Sequence, residues 1–308
     1  MTYSFLRITG KNTLAREMKP AREQSRDLVR VKVLRTGVCG GDVRSLFRGE
    51  PKPFCHEYVG VVESGPIAFS SLIGRTVVGK NSVACSECNC CKRGNEKECS
   101  NRWLLDEPAA ANYIDVPAFS VFPTSLPPEI AILIEPLAAV ISNFVDICPH
   151  LSTERRVAIL GQGPMAKMAR YYLATQGIID SPSPVYTWLY SERLLQNAVA
   201  AAQKRGMIAL AYSPSAIHIS GDVLYHIRNK LLSLAIVVAS PNNCFAEAEE
   251  VLRDHSSRFQ KIIGQKANMN DPDAVIFAIN SNTTRRCKTV LLVQNNIEHG
   301  LPPEGDYC

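Results

Sequence analysis

The 308-residue sequence contains no basic block, no basic-aromatic stripe, no internal repeat and no low-complexity tract. Its 34 basic and 29 acidic residues are interspersed, so the net charge of +5 has no focus. That pattern excludes a dedicated nucleic-acid partner while staying compatible with phosphate-bearing ligands. No apolar run looks long enough to span a membrane. The opening MTYSFLRITGKNTLARE lacks the apolar stretch of a signal peptide. Both absences predict a cytoplasmic protein with neither membrane nor nucleic acid as partner. In that reducing compartment the 11 cysteines are expected to serve metal rather than disulfides.

What is present is led by Cys85-Ser-Glu-Cys88-Asn-Cys90-Cys91-Lys-Arg-Gly94-Asn-Glu-Lys-Glu-Cys99. Cys85, Cys88, Cys91 and Cys99 can surround one tetrahedral Zn²⁺, and a closed all-thiolate site is structural. The alternative is a cluster of reduced thiols. The length suggests about two domains.

The first 140 residues read as short strands and turns. Leu28–Leu34 alternates apolar and polar residues, as a half-buried strand does. Tyr58–Glu63, Arg75–Gly79 and Tyr113–Pro117 are further β-rich runs. Beyond about residue 150 strands alternate with helices, which predicts a parallel, doubly wound sheet. Its strands are expected at Arg156–Leu160, Val185–Tyr190, Leu234–Ala239 and Phe259–Gly264, and helices at Lys167–Thr175, Glu192–Arg205 and Phe245–Arg253.

Gly161-Gln-Gly163-Pro164-Met165-Ala166 follows a strand and opens a helix, the context a dinucleotide fingerprint requires. Gly161 permits the tight turn, Gly163 lets the backbone approach a pyrophosphate, and the helix N-terminus faces that anion. The alternative is a plain strand-to-helix turn. At the position where NAD-binding units offer an acidic ribose partner stands Leu189, which accepts no hydrogen bond. Ser191 and Arg193 could instead hold a 2′-phosphate, which leans the cofactor toward NADP. Arg193 reads equally as a solvated helix residue.

Three scattered segments hold the remaining chemistry: Thr36-Gly-Val-Cys39-Gly-Gly-Asp42, Cys55-His56-Glu57 and Ile134-Glu135-Pro136. One thiolate, one imidazole and one carboxylate would leave a fourth zinc position for water or substrate. Each piece also has an ordinary reading, as a buried small hydrophobe, a polar pair or a helix-start residue.

In series, TGVCGGD, CHEYVG, the four-cysteine lobe, IEPLAAV and VAILGQGPMA resemble the zinc-dependent medium-chain dehydrogenase/reductases, which include alcohol, sorbitol and threonine dehydrogenases. The resemblance covers about residues 28 to 200. It implies an α/β fold: a GroES-like β-rich catalytic domain (1–145), a doubly wound Rossmann domain (146–264) with a shortened C-terminal part, and a return to the catalytic domain (265–308). It implies an active site in the cleft between the domains, hydride transfer between a nicotinamide and a zinc-bound secondary alcohol or carbonyl, and two zinc ions per chain. Cys39 and His56 match catalytic zinc ligands, Glu57 a residue that supports or transiently binds that metal, and Glu135 a further ligand. A glutamate at 135 leans toward the polyol-like branch. Asp42 matches a position that orients an imidazole, and the four lobe cysteines match structural ligands.

The departures are specific. Gly41 stands where the family carries the Ser or Thr that relays the substrate proton, and Arg44 where it often has His. Cys55 replaces a glycine, as a spare ligand or an oxidation-sensitive thiol beside the metal. The stretch between Gly264 and Asp271 is shorter than in relatives, where that segment completes the nucleotide sheet and often builds a homodimer edge. An unusual zinc and nicotinamide chemistry, or a catalytically silent binding protein, are the rival readings.

Overall fold

The computed structural model describes the chain except residues 24–25, 86, 105–106, 148–156, 179–184, 190–191, 213–218, 238–243 and 294–308. The chain packs as two compact units. One comprises Met1–Glu135 together with the chain from Phe245 on. The other is Pro136–Cys244.

The first unit is built on strands. β1 (Thr2–Gly10) and β2 (Thr13–Pro20) form a hairpin, and β4 (Lys52–Pro53) pairs with the other edge of β1. β3 (Leu28–Gly37) is the spine of a larger sheet. Its Val29, Val31 and Val33 are fully buried, as the alternating pattern predicts. Along one edge β3 pairs with β5 (Glu57–Ser64), which continues to β6 (Thr76–Gly79) and β10 (Val121–Pro123). Along the other edge it pairs first with β9 (Tyr113–Pro117) and then with β16 (Lys288–Leu292). α1 (Gly40–Arg48) follows β3 directly, capped by Cys39, whose Sγ accepts the Gly41 N–H. β7 (Ser82–Val83) and β8 (Trp103–Leu104) flank a lobe that holds the short helix α2 (Asn89–Lys92). α3 (Pro128–Ala131) leads into α4 (Ile134–Ile147).

The second unit carries a parallel sheet. β11 (Ala158–Leu160), β12 (Val185–Leu189), β13 (Met207–Tyr212) and β14 (Ser233–Val237) lie in chain order, separated by α5 (Pro164–Thr175), α6 (Glu192–Ala201) and α7 (Gly221–Lys230). Strand, crossover helix and parallel strand are the elements of a Rossmann-type domain. Among the described strands the order does not reverse.

Three expectations from sequence differ from the structure. Phe259–Gly264 is not a strand: α8 (Phe245–Gln260) runs through Phe259, which is fully buried. The strand starts later, as β15 (Ile263–Asn268), and pairs parallel with β16 in the first unit. The connecting α9 (Pro272–Arg285) covers that pair with Val275, Ala278 and Ile279. A buried apolar run cannot be told from a strand by periodicity alone, and here helix burial produced it. α8 likewise groups with the first unit, although the sequence division placed it in the nucleotide domain; its Glu249 accepts from Thr124 Oγ1 at 2.7 Å. Third, residues 128–145 do reach membrane-spanning length and hydropathy, but 78% of that window is buried inside the protein, as in a core helix.

Candidate metal centre and nucleotide turn

The cysteine lobe assembles as the spacing predicts. Sγ separations are 3.5 Å for Cys88–Cys91, 3.6 Å for Cys85–Cys99 and 4.0 Å for Cys85–Cys91. A tetrahedron with Zn–S bonds of about 2.3 Å has edges of about 3.8 Å; these three separations are close to that, and all four sulfurs lie within 4.8 Å of one another. Backbone N–H groups of Cys85, Cys88 and Cys91 point at Cys99, Cys85 and Cys88 sulfurs respectively. Such bonds, led by the Cys91 N–H, hold the Cys88 thiol at about 6, which favours the thiolate that a metal needs.

The second constellation lies wholly within the first unit. Cys39 precedes α1, His56 precedes β5 and Glu57 opens it, and Glu135 sits in the first turn of α4. Ligand atoms of Cys39, Asp42 and His56 lie within 4.8 Å of one another, and so do those of His56, Glu57 and Glu135. His56 belongs to both sets, so the scattered sequence segments converge on one imidazole. The Asp42 carboxylate is 1% exposed. Its Oδ2 accepts from the Cys39 N–H at 3.3 Å and lies 3.8 Å from His56 Nδ1, while Oδ1 lies 3.0 Å from Lys52 Nζ.

The electrostatics follow from crowding. Burial alone would raise Asp42, but the charges of His56 and Lys52 outweigh it and hold the carboxyl below its usual range. Burial would lower His56, but Cys39, Asp42 and Glu135 hold it well above its ordinary value. Burial and the neighbouring Glu57 push Glu135 up to about 7. A divalent cation would relieve this concentration of acidic groups. Cys39, His56 and Glu135 offer the thiolate, imidazole and carboxylate that a catalytic zinc takes, so these residues fit a cation.

The sequence reading did not single out Lys288. Its Nζ donates to Glu57 Oε1 at 2.8 Å and lies 2.6 Å from Oε2, with both side chains 3% exposed. The pair meets over Gly37, which β3 places opposite Glu57 on one side and Val290 on the other. A Cβ on Gly37 would overlap Glu57 Oε2 and lie 3.1 Å from Lys288 Cε. The available signal was a lysine inside the apolar run Cys287–Leu292, since a strand lysine bounded by buried residues requires a charge partner.

Cys55 corrects an expectation. Its thiol is buried in the core cluster that contains Val38, Leu46 and Phe54, and it joins neither ligand group. Burial, then the charges of Asp42 and Cys39, push its pKa well above the ordinary thiol value. It is thus a packed hydrophobe held in the left-handed region, at φ 65°, a conformation that favours glycine.

In the second unit, Gly161 adopts φ 104°, a conformation that L side chains rarely take. Arg170 braces this turn by donating from Nη2 to the Ile159 and Gly161 carbonyls, both at 2.7 Å. Gly163 caps α5 without a side-chain bond, and Pro164, Met165 and Ala166 form the first turn. Nothing lies within 4 Å of the position a Gly163 Cβ would take, so the first-turn N–H groups have room for a phosphate. Arg193 is exposed at the start of α6, while Ser191 lies outside the described residues.

Residues 25–127 match the model of the alcohol dehydrogenase GroES-like domain. An L-threonine 3-dehydrogenase of Caldanaerobacter subterraneus is 33% identical over 159 residues, 46% of this chain and 44% of that protein. The chain thus spans about half the length of the curated relatives it matches. Among solved structures, an Escherichia coli alcohol dehydrogenase complexed with NADH superposes with a TM-score of 0.76 at 20% identity, covering 95% of this chain and 99% of that one. Galactitol-1-phosphate dehydrogenase from Escherichia coli gives 0.77 at 17% identity, over 94% and 100%. At those identities the superpositions establish the fold alone. Residues 25–127 are thus similar to the alcohol dehydrogenase GroES-like domain, and the chain has the fold of these dehydrogenases.

Proposed function

We propose that the chain is a zinc-dependent oxidoreductase that exchanges a hydride between a nicotinamide cofactor and a secondary alcohol or carbonyl of polyol, cyclitol or sugar-like character. The observation that carries this reading is that Cys39 and Glu135 both lie in ligand groups that share His56. A scaffold needing only a structural metal has no use for that second set.

Cys39, His56 and Glu135 would hold the catalytic ion, and Cys85, Cys88, Cys91 and Cys99 the structural one. Bound there, zinc supplies Lewis acidity that polarises a substrate oxygen. Asp42 orients His56 through Nδ1. Glu57, gripped by Lys288, keeps a carboxylate beside the ligands without leaving its strand. The Gly161–Ala166 turn would bind the cofactor pyrophosphate, and the exposed Arg193 supports NADP over NAD. The nicotinamide supplies the hydride acceptor or donor.

The test is fluorescence titration of NADPH and NADH, followed by a panel of secondary alcohols and carbonyls, on wild type and Cys39→Ser. Cofactor binding with turnover lost in Cys39→Ser supports the reading. Gly41 favours one rival: with no hydroxyl to relay a proton, cofactor binding without turnover on the whole panel would point to a different zinc and nicotinamide chemistry.

A further inference from the structure

Asp42 has a partner that neither the mechanism nor the resemblance uses. Cys39, Asp42 and His56 present ligand atoms within 4.8 Å of one another, so by distance alone the Asp42 carboxylate competes for the same cation as the thiolate and the imidazole. Lys52 stands against this. It lies on β4, between Pro51 and Pro53, and is fixed in register against Ile8 of β1. Its Nζ reaches Asp42 Oδ1 at 3.0 Å, while the side chain is 39% exposed. The other oxygen, Oδ2, is taken by the Cys39 N–H and faces His56 Nδ1.

We propose that Lys52 is a positioning residue of the metal site: by holding Asp42 Oδ1 it keeps that carboxylate out of the ligand set and fixed behind His56. His56 Nδ1 then faces Asp42, which leaves the opposite ring nitrogen, Nε2, for the metal. This assignment rests on the metal-site reading above. Two oxygens, each with a set partner, fix the carboxylate plane, and the plane fixes the imidazole. Groups that orient ligands in this way typically change metal affinity by about 10- to 100-fold when removed. A buried carboxylate stripped of its ammonium partner also seeks another cation, and the nearest would be the metal.

The experiment loads the full-length chain with Co²⁺ and follows its visible absorption and its affinity by chelator competition. Cys39→Ser loaded in the same way supplies the signal of the cysteine lobe, which is subtracted. Lys52→Met is expected to weaken Cys39-dependent Co²⁺ binding by about tenfold or more and to lower the band intensity, as an added carboxylate oxygen raises the coordination number. Lys52→Arg is expected to restore the wild-type spectrum. Adding Asp42→Asn to Lys52→Met should return the spectrum to that of Asp42→Asn alone, because Lys52 acts only through that carboxylate. If Lys52→Met folds and gives the wild-type spectrum and affinity, the proposal is wrong. If it does not fold, Lys52→Gln carries the same comparison. A wild type with no Cys39-dependent cobalt signal overturns the metal site and the proposal together, whereas a normal signal unchanged by Lys52 overturns the proposal alone.

Discussion

Lys288 Nζ and Glu57 Oε1 are 231 residues apart in the chain and 2.8 Å apart in the structure, both buried. Burial would lower the lysine, and the Glu57 charge outweighs it, so the ammonium is retained. The pair ties β16 to the site. Removing one partner strands a buried charge, at a cost of about 3–5 kcal/mol. Lys288→Met should therefore lose about that much stability in denaturant unfolding. The double change Glu57→Gln with Lys288→Met should recover part of the loss. A single change costing under about 1 kcal/mol would mean that water already reaches the pair.

Metal content separates the two constellations. Protein purified without chelator is expected to carry two zinc ions per chain by elemental analysis, falling to one in Cys39→Ser. Cys91→Ser should instead lower the unfolding temperature, because structural zinc binding is coupled to folding. A stoichiometry of one that Cys39→Ser leaves unchanged would remove the catalytic site.

The pH dependence of the metal-free chain carries the mark of Glu135. Its folded value of about 7 lies above the reference value of 4.5, so the folded state holds that proton more tightly than the unfolded one. The stabilisation is complete below 4.5 and is lost as pH rises through about 7. Glu135→Gln should flatten that part of the stability profile. Because a bound cation must displace the same proton, zinc affinity at this site should rise with pH across this range. An affinity independent of pH between about 5 and 8 would contradict Glu135 as a ligand.

Gly41 offers no hydroxyl, and a positioned acid–base group contributes about 10²–10⁴-fold. Glu57, paired with Lys288, is the remaining nearby carboxylate for the role. Glu57→Gln should abolish turnover at unchanged zinc content if it serves as the base. Gly41→Ser restores the hydroxyl, but its Cβ would stand 3.2 Å from Cys39 Sγ, so the thiolate must yield by a few tenths of an ångström. Turnover per metal-loaded site on simple secondary alcohols should then rise by about tenfold or more. If neither substitution alters turnover in an active enzyme, the proton leaves by another route.

Cofactor choice is tested at Arg193. NADPH should bind at least as tightly as NADH by calorimetry, and Arg193→Ala should weaken NADPH selectively. Much tighter NADH binding that Arg193→Ala leaves untouched would place the ribose partner elsewhere on the second strand.

Features that neighbouring residues decide were legible in the sequence. The cysteine lobe needs only 15 consecutive residues, and its sulfurs stand at zinc spacing because a tight loop around α2 leaves little freedom. The alternation of Leu28–Leu34 and the turn at Gly161 are likewise local, fixed by side-chain periodicity and by a backbone conformation few residues tolerate. The tertiary structure decided the rest. Phe259 reads as strand or helix by itself, and packing made it helix. Cys55 reads as a thiol beside a metal, and its burial in the apolar core removed it from the ligands. Lys288 and Lys52 acquire meaning only from the carboxylates they meet, because an ion pair is a property of two positions, and strand pairing sets which two.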